Sequence, residues 1–518
     1  MHSRRADFIA LFLTLLGFVA SALVTQRVFE GIPHIEDEIA YVWQAKALIE
    51  GHLTLPSPPN EHSFLVPFVV DYDGLRFGKY PPGWPALLAI AIRLGIRPWI
   101  NPLLAGLGVW LTYLLGKKIF SALVGLLAAG LTVSSAFFLM NSGSLLSHPF
   151  GLVLSALFAL GWLESFWPAR PQAPEVEPRC RRIQWVYATL ATLSLGLLIL
   201  TRPMTALAVA IPFIVHGIYL LIRGDGPIRL RLMVVGLVSA GFAGLYVLWQ
   251  YSLTGNALLN PYTLWWPYDR VGFGPGIGLG PAGHTLNQAW VNTRSSLQAG
   301  SSDLFGWLGL SWIFMPFGLW AARRNPRGLM ISSVAVSLVL VYMTYWIGAT
   351  LFGPRYYYEG LYSATLLSAV GIAWLAGWPS RLGAIFVPST GWRKLRPLLI
   401  TLVVGVLVGI NLTLYVPNRL GGMFGLYKIE KADQAPFLTP AVQSLTPALV
   451  IVHTPRWMEY GALLDLENPE LTTPFIFAWS TGPFTDAVLG IDFPDRNVYH
   501  YYPEQPFQLY KEPLPEPP

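Results

Sequence analysis

Long runs of apolar residues, broken by short polar segments, recur along most of the chain. Each run approaches the roughly 20 residues that an α-helix needs to cross the hydrocarbon core of a bilayer. A helix satisfies its own backbone hydrogen bonds there, whereas an open strand does not. The pattern predicts an all-α polytopic membrane protein with about 11 transmembrane helices. The predicted spans cover residues 7–27, 99–117, 121–140, 147–167, 184–201, 203–222, 228–250, 303–321, 328–350, 358–377 and 396–416.

Basic residues predict the orientation of the spans, because Lys and Arg are concentrated in short cytoplasmic loops. They recur in alternate connections, on the same side as Arg4 and Arg5. We therefore expect the N-terminus to be cytoplasmic and the C-terminus to be extracytoplasmic. The internal basic clusters are Lys117–Lys118, Arg179–Arg182, Arg223–Arg231, Arg323–Arg327 and Arg381–Arg396.

Two segments admit a different interpretation. Residues 82–97 are apolar, but they begin with prolines, contain Arg93 and number only about sixteen. Counting them as a span would place every later basic cluster outside, so we expect a short interfacial or re-entrant helix. The first span has a signal-peptide alternative, since Ala20-Ser21-Ala22 resembles a cleavage site. Its apolar stretch is longer than a typical signal core, however.

Composition supports the membrane class. Hydrophobic residues make up 53% of the chain and charged residues only 12%, which excludes an ordinary soluble domain. The single cysteine, Cys180, excludes a disulfide framework and a thiolate metal site. The net charge of +6 arises mostly in the cytoplasmic loops, so it does not indicate a nucleic-acid partner.

Two loops between the spans are predicted to be external and are long enough to carry chemistry. In the first, residues 28–98, helical spacing runs from Asp37 to Glu50 and predicts a helix along the membrane surface. Further along this loop, alternating apolar and polar residues around Asp73-Gly74 predict a β-hairpin. The second loop, residues 251–302, is rich in Gly, Trp and Tyr.

The C-terminal segment has a different pattern from the rest of the chain. It contains three strand-like runs, ALVIVHT, PFIFAWS and NVYHYY, and predicts a small external α/β tail. The chain would then divide into a transmembrane domain, residues 1–416, which includes both loops, and an external domain, residues 417–518.

Three consecutive carboxylates, Glu36, Asp37 and Glu38, open the helix of the first loop. In the structural interpretation, the macrodipole and capping favour carboxylates at a helix N-terminus. In the functional interpretation, one carboxylate removes a proton from an acceptor hydroxyl as general base. A second carboxylate would orient the acceptor or bind a metal, and Tyr41, one turn after Asp37, would supply a hydrogen bond.

Three cations stand on the predicted external side, against the orientation rule. Lys79 lies in the rigid sequence GKYPP, and Arg202 and Arg355 lie in short connections between spans. Such residues often mark ligand sites, and a lipid phosphate or pyrophosphate leaving group requires this kind of charge. In the alternative interpretation, the arginines contact headgroups or pair with Glu359 or Asp303.

Other polar residues are weaker candidates for contacts to a donor or an acceptor. His148 begins a span and could shuttle a proton, although a lone histidine is more often a satisfied interfacial residue. Tyr80, Asp269 and Arg270 lie near the predicted cations or in the second loop. The alternating glycines of residues 272–280 lack a preceding strand, so they predict a flexible substrate-covering loop and no nucleotide site.

Four motifs together resemble the GT-C class of membrane glycosyltransferases, and most closely the protein O-mannosyltransferases and the lipid A aminoarabinose transferases. They are DEIAYVWQAKALIEGHL after the first span, GKYPPGWPALLA at the end of the first loop, TRP in mid-chain and GPRYYYE before a late span. The resemblance covers roughly residues 5–415, and outside the first loop it is mostly matching hydropathy.

The resemblance implies a polyprenyl-phosphate-linked sugar as donor, transfer on the external face of the plasma (inner) membrane, and inversion at the anomeric carbon. It assigns the catalytic carboxylate to Asp37, with Glu38 beside it. It places Lys79 against the lipid phosphate and makes Arg355 and Tyr356 the late Arg-Tyr pair.

The sequence also departs from this family. Many relatives carry a second acidic residue at the end of a later span, where this chain reads MNSGSLLSHP, with Asn141 and His148. A divalent metal is therefore not favoured as a cofactor, and no other cofactor is implied. The aminoarabinose enzymes have more spans than are predicted here, so their particular activity is not transferred.

The leading prediction is a glycosyltransferase in which Asp37 is the base, Glu38 assists, and Lys79, Arg202 and Arg355 hold the donor phosphate. The acceptor is not indicated by the sequence. One rival is a transporter or flippase for a lipid-linked sugar, but such proteins usually carry midplane charges and internal repeats. The other rival is a non-catalytic scaffold or receptor, whose charged rim would tolerate substitution.

Overall fold

The computed structural model describes residues 3–167, 178–378 and 392–515. The helices are α1 (Ser3–Arg27), α2 (Glu36–Ile49), α3 (Gly83–Arg93), α4 (Arg97–Ile119), α5 (Ala122–Val133), α6 (Ala136–Gly143), α7 (His148–Phe166), α8 (Pro178–Ile199), α9 (Pro203–Arg223), α10 (Gly226–Thr254), α11 (Tyr262–Trp265), α12 (Leu286–Asp303), α13 (Met315–Ala322), α14 (Pro326–Tyr342), α15 (Leu361–Ala376), α16 (Trp392–Ile410), α17 (Val416–Gly421), α18 (Pro440–Gln443) and α19 (Pro483–Asp492). The strands are β1 (Leu55–Pro56), β2 (Val69–Tyr72), β3 (Leu75–Gly78), β4 (Ala448–Val452), β5 (Phe475–Trp479), β6 (Asn497–Tyr501) and β7 (Leu509–Tyr510).

Within these described ranges, 8 helices are long and apolar enough to cross a membrane. They are α1, α4, α7, α8, α9, α10, α15 with the turn that precedes it, and the helical segment from Leu395 to Lys428. The pair α5 and α6 is bent by 62° and would make a ninth span if it counts as one. The chain is therefore a multi-pass membrane protein, with fewer long helices than the predicted number of about 11.

Local breaks explain the difference. The predicted span 121–140 is divided because the Ser135 side chain accepts a hydrogen bond from the Phe138 N–H and starts α6 as a separate helix. Residues 303–321 do not form a continuous helix: α12 ends at Asp303, and Gly306 adopts a φ of 63° before the short α13 begins. The predicted span 328–350 is helical only up to Tyr342. Hydropathy detects apolar composition and does not register such breaks.

The helices pack closely where glycines face each other. A Cβ at Gly318 of α13 would lie 1.9 Å from the Leu367 carbonyl oxygen, and one at Gly371 of α15 would lie 2.0 Å from the Phe314 oxygen. Within a bilayer, association of helices depends on such close van der Waals contact, because lipid tails are as apolar as the side chains. These contacts pack α13 directly against α15.

The first loop contains the predicted helix, the predicted hairpin and a short helix. Strands β2 and β3 are antiparallel with Tyr72 opposite Leu75, and Asp73 and Gly74 have positive φ, as a tight two-residue turn requires. Helix α3, within the segment 82–97, has 11 residues and is too short to cross a bilayer.

The three predicted C-terminal strands are confirmed as β4, β5 and β6. They form a sheet of order β5-β4-β6-β7, in which β4 is parallel to both β5 and β6, and β7 is antiparallel to β6. The last helical segment continues past residue 416 through α17 to Gly421. The division of the chain at residue 416 stays a prediction, and so do the external position of the sheet and the orientation of both termini.

Helix α2 lies between this sheet and the helical bundle. Ile39, Trp43 and Ala47 share a buried apolar cluster with residues of β4 and β5, while Tyr41 and Val42 belong to the core of the bundle. The apolar face that predicted a helix on the membrane surface therefore packs against protein instead of lipid.

Some residues used in the sequence analysis lie outside the described residues. They are Arg381, the side chains of Arg179, Cys180, Arg393 and Lys394, and the last three residues of the C-terminal tail.

Candidate active site

The first turn of α2 separates its three carboxylates. Glu38 is fully buried: its Oε2 accepts hydrogen bonds from the backbone N–H groups of His34 (2.8 Å) and Ile35 (3.3 Å), and its Oε1 accepts one from Leu145 (2.6 Å). Burial raises the pKa of Glu38 to about 7, although these N–H donors oppose the shift. Glu38 joins α2 to the connection before α7 and does not reach the cavity described below. The structure therefore places Glu38, which was predicted to assist Asp37, outside the residues that line the cavity, and the contacts it makes are those of a structural residue.

Asp37 points the other way, into a cavity. Its Oδ1 accepts a hydrogen bond from the Tyr80 hydroxyl at 2.6 Å, and its Oδ2 lies 3.3 Å from Nη2 of Arg355. Burial alone would raise the pKa of Asp37, but Arg355, the Tyr80 hydrogen bond and Lys79 together hold it below its usual value. Asp37 is therefore an ionised carboxylate at neutral pH.

The cavity into which Asp37 points has a volume of about 290 Å³ and is lined by charged and aromatic side chains. Its charged residues are Glu36, Asp37, Lys79, Arg202, Asp269 and Arg355. Its aromatic residues are Tyr41, Phe68, Tyr80, Tyr246, Tyr262, Trp266, Tyr342, Tyr345, Trp346 and Tyr356. The predicted convergence of Asp37 with Lys79 and Arg355 is thus present in the fold, although these residues lie far apart in the sequence.

Lys79 follows directly after β3, and its ammonium enters an aromatic cage. The Nζ atom lies 3.5 Å from the centroid of the Phe68 ring, 4.9 Å from that of Tyr262 and 5.1 Å from that of Trp266. Rings at this distance attract a cation through their negative faces. Burial lowers the pKa of Lys79 to about 8, while Asp269 and Asp37 oppose the shift.

Asp269 positions this lysine. Its Oδ1 accepts hydrogen bonds from the Tyr345 hydroxyl (2.7 Å) and the Trp346 indole N–H (2.9 Å). Its Oδ2 lies 3.6 Å from the Lys79 Nζ, which is longer than a normal hydrogen bond. The ammonium is therefore held near Asp269 while its donors can still turn toward a ligand.

The two arginines of the cavity are held differently. The Nε of Arg202 lies 3.2 Å from Oε1 of the fully buried Glu359, and its Nη2 donates to the Tyr342 hydroxyl at 3.3 Å. The alternative interpretation, in which an arginine pairs with Glu359, is therefore confirmed for Arg202, which lines the cavity nevertheless. The Nη1 of Arg355 is buried and has no hydrogen-bond partner among the described residues.

Two of the weaker candidates, His148 and Arg270, do not reach the cavity, and neither does Asn141. His148 is buried at the start of α7, where its Nδ1 lies 3.1 Å from Oε1 of Glu359, so it supports the partner of Arg202 and has no access to a substrate proton. Arg270 is exposed, and its Nε donates to the Pro267 carbonyl at 3.0 Å. Asn141, at the position where relatives are acidic, donates to the carbonyls of Phe137 and Phe352.

Several residues of the cavity wall were not predicted. Within the acidic triplet of α2, Glu36 and not Glu38 accompanies Asp37 on the cavity wall, and Phe68, Tyr262, Trp266 and Tyr345 belong to its aromatic part. For Tyr262 and Trp266, the sequence signal is the density of aromatic residues in the segment NPYTLWWPYDR, whereas Phe68 and Tyr345 lie outside that segment.

Two of the three carboxylates that line the cavity have hydrogen-bond donors or cations close to them, and this arrangement tests whether the cavity could hold a metal ion. Asp37 is held by Arg355 and Tyr80, and Asp269 is held by Tyr345 and Trp346 with Lys79 nearby. Glu36 alone does not form a cation site. Among the described residues, the cavity wall contains no compact group of three His, Cys, Asp or Glu side chains that could hold a metal ion.

The fold is similar to solved membrane enzymes. ArnT from Cupriavidus metallidurans bound to undecaprenyl phosphate matches with a TM-score of 0.53 and 15% identity, over 93% of this chain and 88% of its own. The Archaeoglobus fulgidus oligosaccharyltransferase AglB, in complex with an inhibitory peptide and a dolichol-phosphate, matches with a TM-score of 0.51 and 13% identity, over 94% of this chain and 69% of its own. No protein-family model and no curated protein sequence matches the chain. The fold is that of the GT-C glycosyltransferases, as the motifs predicted.

Proposed function

We propose that this protein is a glycosyltransferase that moves a sugar from a polyprenyl-phosphate donor to an acceptor hydroxyl on the extracytoplasmic face of the plasma (inner) membrane. The observation that carries the proposal is the pairing of Asp37 with Arg355 at 3.3 Å in a cavity that Lys79 and Arg202 also line. A base and an anion-binding set within one cavity are the two components that transfer from a phosphate leaving group requires.

The cations would bind the phosphate of the donor. The Nη1 of Arg355, which has no partner in the described part of the chain, and the ammonium of Lys79 supply donors for charge-assisted hydrogen bonds, which are stronger than neutral ones. Arg202, fixed by Glu359, adds positive charge without needing to move. The two similar structures, one bound to undecaprenyl phosphate and one to a dolichol-phosphate, support a polyprenyl-phosphate donor.

Asp37 would act as the general base. As the acceptor oxygen forms its bond to the anomeric carbon, the bond from that carbon to the phosphate oxygen breaks, and the electron pair leaves with the phosphate. The acceptor proton passes to Asp37, while Arg355 and Lys79 stabilise the released phosphate. Attack on the face opposite the leaving group inverts the anomeric carbon, as in inverting glycosidases.

Binding of the donor would also make Asp37 a stronger base. In the free protein Arg355 lowers the pKa of Asp37, and a low pKa weakens a base. A donor phosphate competes for the same guanidinium, so part of the positive charge that faces Asp37 is neutralised when the donor is bound. The carboxylate would then gain basicity in the complex that reacts.

The aromatic wall would hold the sugar and keep out water. Tyr356 packs between two other tyrosines: its ring centroid lies 4.8 Å from that of Tyr342 and 5.6 Å from that of Tyr345. Apolar rings next to polar groups are typical of small-molecule sites. Excluding water protects the donor from hydrolysis and strengthens the electrostatic contacts.

A transporter or flippase for a lipid-linked sugar is less well supported. The charged residues of the cavity lie in loops or at helix ends, since Arg202 immediately precedes α9 and Lys79 immediately follows β3. Transporters usually place their ionisable groups near the bilayer midplane.

The deciding experiment incubates the purified protein with polyprenyl-phosphate sugars and a mixture of candidate acceptors, and measures release of polyprenyl phosphate. We expect release that depends on the acceptor and on Asp37. Movement of intact lipid-linked sugar across vesicles without any release of lipid phosphate would contradict the proposal and favour the flippase.

A further inference from the structure

A second cluster of ligand-type side chains lies in the C-terminal sheet, apart from the residues that line the cavity. His453 follows directly after β4, His500 belongs to β6, and Asp486 lies in α19. One nitrogen of each histidine and one carboxylate oxygen all lie within 4.8 Å of one another. Among the described residues, this is the group of three His, Cys, Asp or Glu side chains that is compact enough to hold a metal ion.

The topology of the sheet brings these residues together. Strands β5 and β6 flank β4 on opposite sides, and all three are parallel. The order of the strands therefore switches from one side of β4 to the other. Ligands of open α/β sheets bind in the crevice at the carboxyl ends of the strands where this switch occurs. His453 and His500 stand at that end of β4 and β6.

The side chains are arranged as metal ligands are. Nε2 of His453 and Nδ1 of His500 face each other and share a hydrogen bond at 2.8 Å. Tetrahedral zinc with Zn–N bonds of 2.0–2.1 Å would take the place of the shared proton and hold the two nitrogens about 3.3 Å apart. A separation of the rings by about 0.5 Å would therefore admit the ion.

A buried carboxylate oxygen of Asp486 without a hydrogen-bond partner in the described part of the structure is a second, independent observation that points to a bound cation. The residue is only 7% exposed, and its Oδ1 has no hydrogen-bond partner among the described residues. Its other oxygen, Oδ2, accepts a hydrogen bond from the Ser480 hydroxyl at 2.7 Å, and this bond orients the carboxylate. Residues that ligate metals are commonly oriented by such hydrogen bonds from neighbouring groups. A buried carboxylate oxygen without a partner costs free energy unless a cation or donor engages it.

We propose that His453, Asp486 and His500 bind a divalent transition metal, best matched by Zn²⁺, at the carboxyl end of the C-terminal sheet. Two imidazoles and one carboxylate are a donor set that suits zinc, and three protein ligands leave a fourth position open for water or an external anion. Tyr502, whose ring stacks on His453 with centroids 4.6 Å apart, shields one side of the site. This site is independent of the transfer reaction proposed for the cavity.

The test uses the full chain in detergent micelles or nanodiscs, stripped with a chelator and titrated with ZnCl₂ in competition with a chromophoric chelator. We expect one Zn²⁺ per chain. His500→Ala and His453→Ala should lower the affinity by more than the roughly 10–100-fold that is typical of changes in the outer layer of a site. The matched control, His52→Ala, removes an exposed histidine and should bind zinc as the wild type does.

Two further measurements keep the outcome decisive. If a histidine variant does not fold, Asp486→Asn decides, because the amide keeps the shape of the side chain and an oxygen acceptor for Ser480. With Co²⁺ in place of Zn²⁺, we expect visible absorption bands of a four-coordinate ion in the wild type and their loss in Asp486→Asn. Equal zinc affinity in the wild type and all three variants would overturn the proposal, as would zinc binding that is lost only in Asp37→Asn.

Discussion

Two buried ionic clusters of this protein differ in how completely their charges are satisfied. Between α4 and the C-terminal segment, Asp465 accepts two hydrogen bonds from Arg97, at 2.6 and 2.8 Å, and Lys46 donates to the backbone carbonyls of Asp465 and Glu467. In the cavity, by contrast, Nη1 of Arg355 lacks a partner among the described residues and Lys79 stands 3.6 Å from the nearest Asp269 oxygen.

This difference indicates that the first cluster has a structural role and that the second is able to bind a ligand. A charge whose donors and acceptors are all engaged holds two segments together and has nothing left for a ligand. A charge held in place but left with free donors can bind an anion without reorganising its surroundings. The Arg97–Asp465 pair therefore serves as the attachment of the C-terminal segment, and the cavity cations serve as the candidate phosphate site.

The largest effect on turnover is expected from Asp37→Asn. Loss of the base should lower the rate of lipid-phosphate release by about 10²–10⁴-fold while donor binding persists. The amide retains a hydrogen bond with Tyr80, so the fold should be preserved. The matched control is Asp73→Asn, in the exposed hairpin turn, which should release lipid phosphate at the wild-type rate. Turnover by Asp37→Asn at the wild-type rate would remove Asp37 from the mechanism.

The largest effect on stability is expected from Asp465→Asn. Removing one partner of a buried ion pair strands the other charge and costs about 3–5 kcal/mol. Thermal unfolding of the solubilised protein should show this loss, while the rate per folded molecule stays near that of the wild type. Asp495→Asn, an exposed aspartate beside β6, is the control and should leave the melting temperature unchanged. A large loss of turnover per folded molecule would contradict the structural role.

A smaller contrast is expected between two neighbouring carboxylates. Glu38→Gln places an amide against the N–H groups of His34, Ile35 and Leu145, so we expect it to destabilise the protein by about 1–3 kcal/mol. Glu36→Gln, on the cavity wall, should leave the free energy of unfolding within about 0.5 kcal/mol of the wild type. Chemical denaturation measures both values, and equal stability of the two variants would contradict the assignment.

The smallest effect concerns pH. Lys79 has a lowered pKa of about 8, so its ammonium is charged at pH 7 and loses its proton in the free protein as the pH rises through about 8. Donor binding then requires proton uptake, and the affinity should fall by up to about tenfold per pH unit above that value. In Lys79→Arg the charge persists to high pH, so this loss should disappear. Donor affinity that is independent of pH in the wild type would exclude Lys79 from the phosphate site.

The sequence identified the charged residues that meet in the cavity better than the aromatic residues that line it. Asp37, Lys79, Arg202 and Arg355 could be predicted because a charge beside a membrane span needs an explanation. The direction of the Glu38 side chain could not be predicted, because adjacent residues of a helix point about 100° apart and no local signal shows which one faces a cavity. The aromatic cage of Lys79 brings together residues of the first and second loops, so no single segment encodes it.

The predicted spans likewise include some that the sequence identifies correctly and some that are interrupted in the structure. Long apolar helices such as α1 and α10 could be predicted because composition alone sets their partition into a bilayer. The breaks at Ser135 and after Asp303 depend on caps and turns within apolar sequence, which hydropathy averages away. The hairpin at Asp73-Gly74 was predicted correctly because the turn itself requires residues that tolerate positive φ.

The sequence by itself determined the membrane class, the hairpin and the C-terminal strands, since hydropathy, turn chemistry and strand periodicity act over a few neighbouring residues. Only the tertiary structure decided which charges remain available, because Asp37, Lys79, Arg202, Asp269 and Arg355 meet through the packing of distant helices and loops. Whether a side chain is satisfied depends on neighbours that are hundreds of residues away, and the rotation and spacing of packed helices decide which neighbours those are.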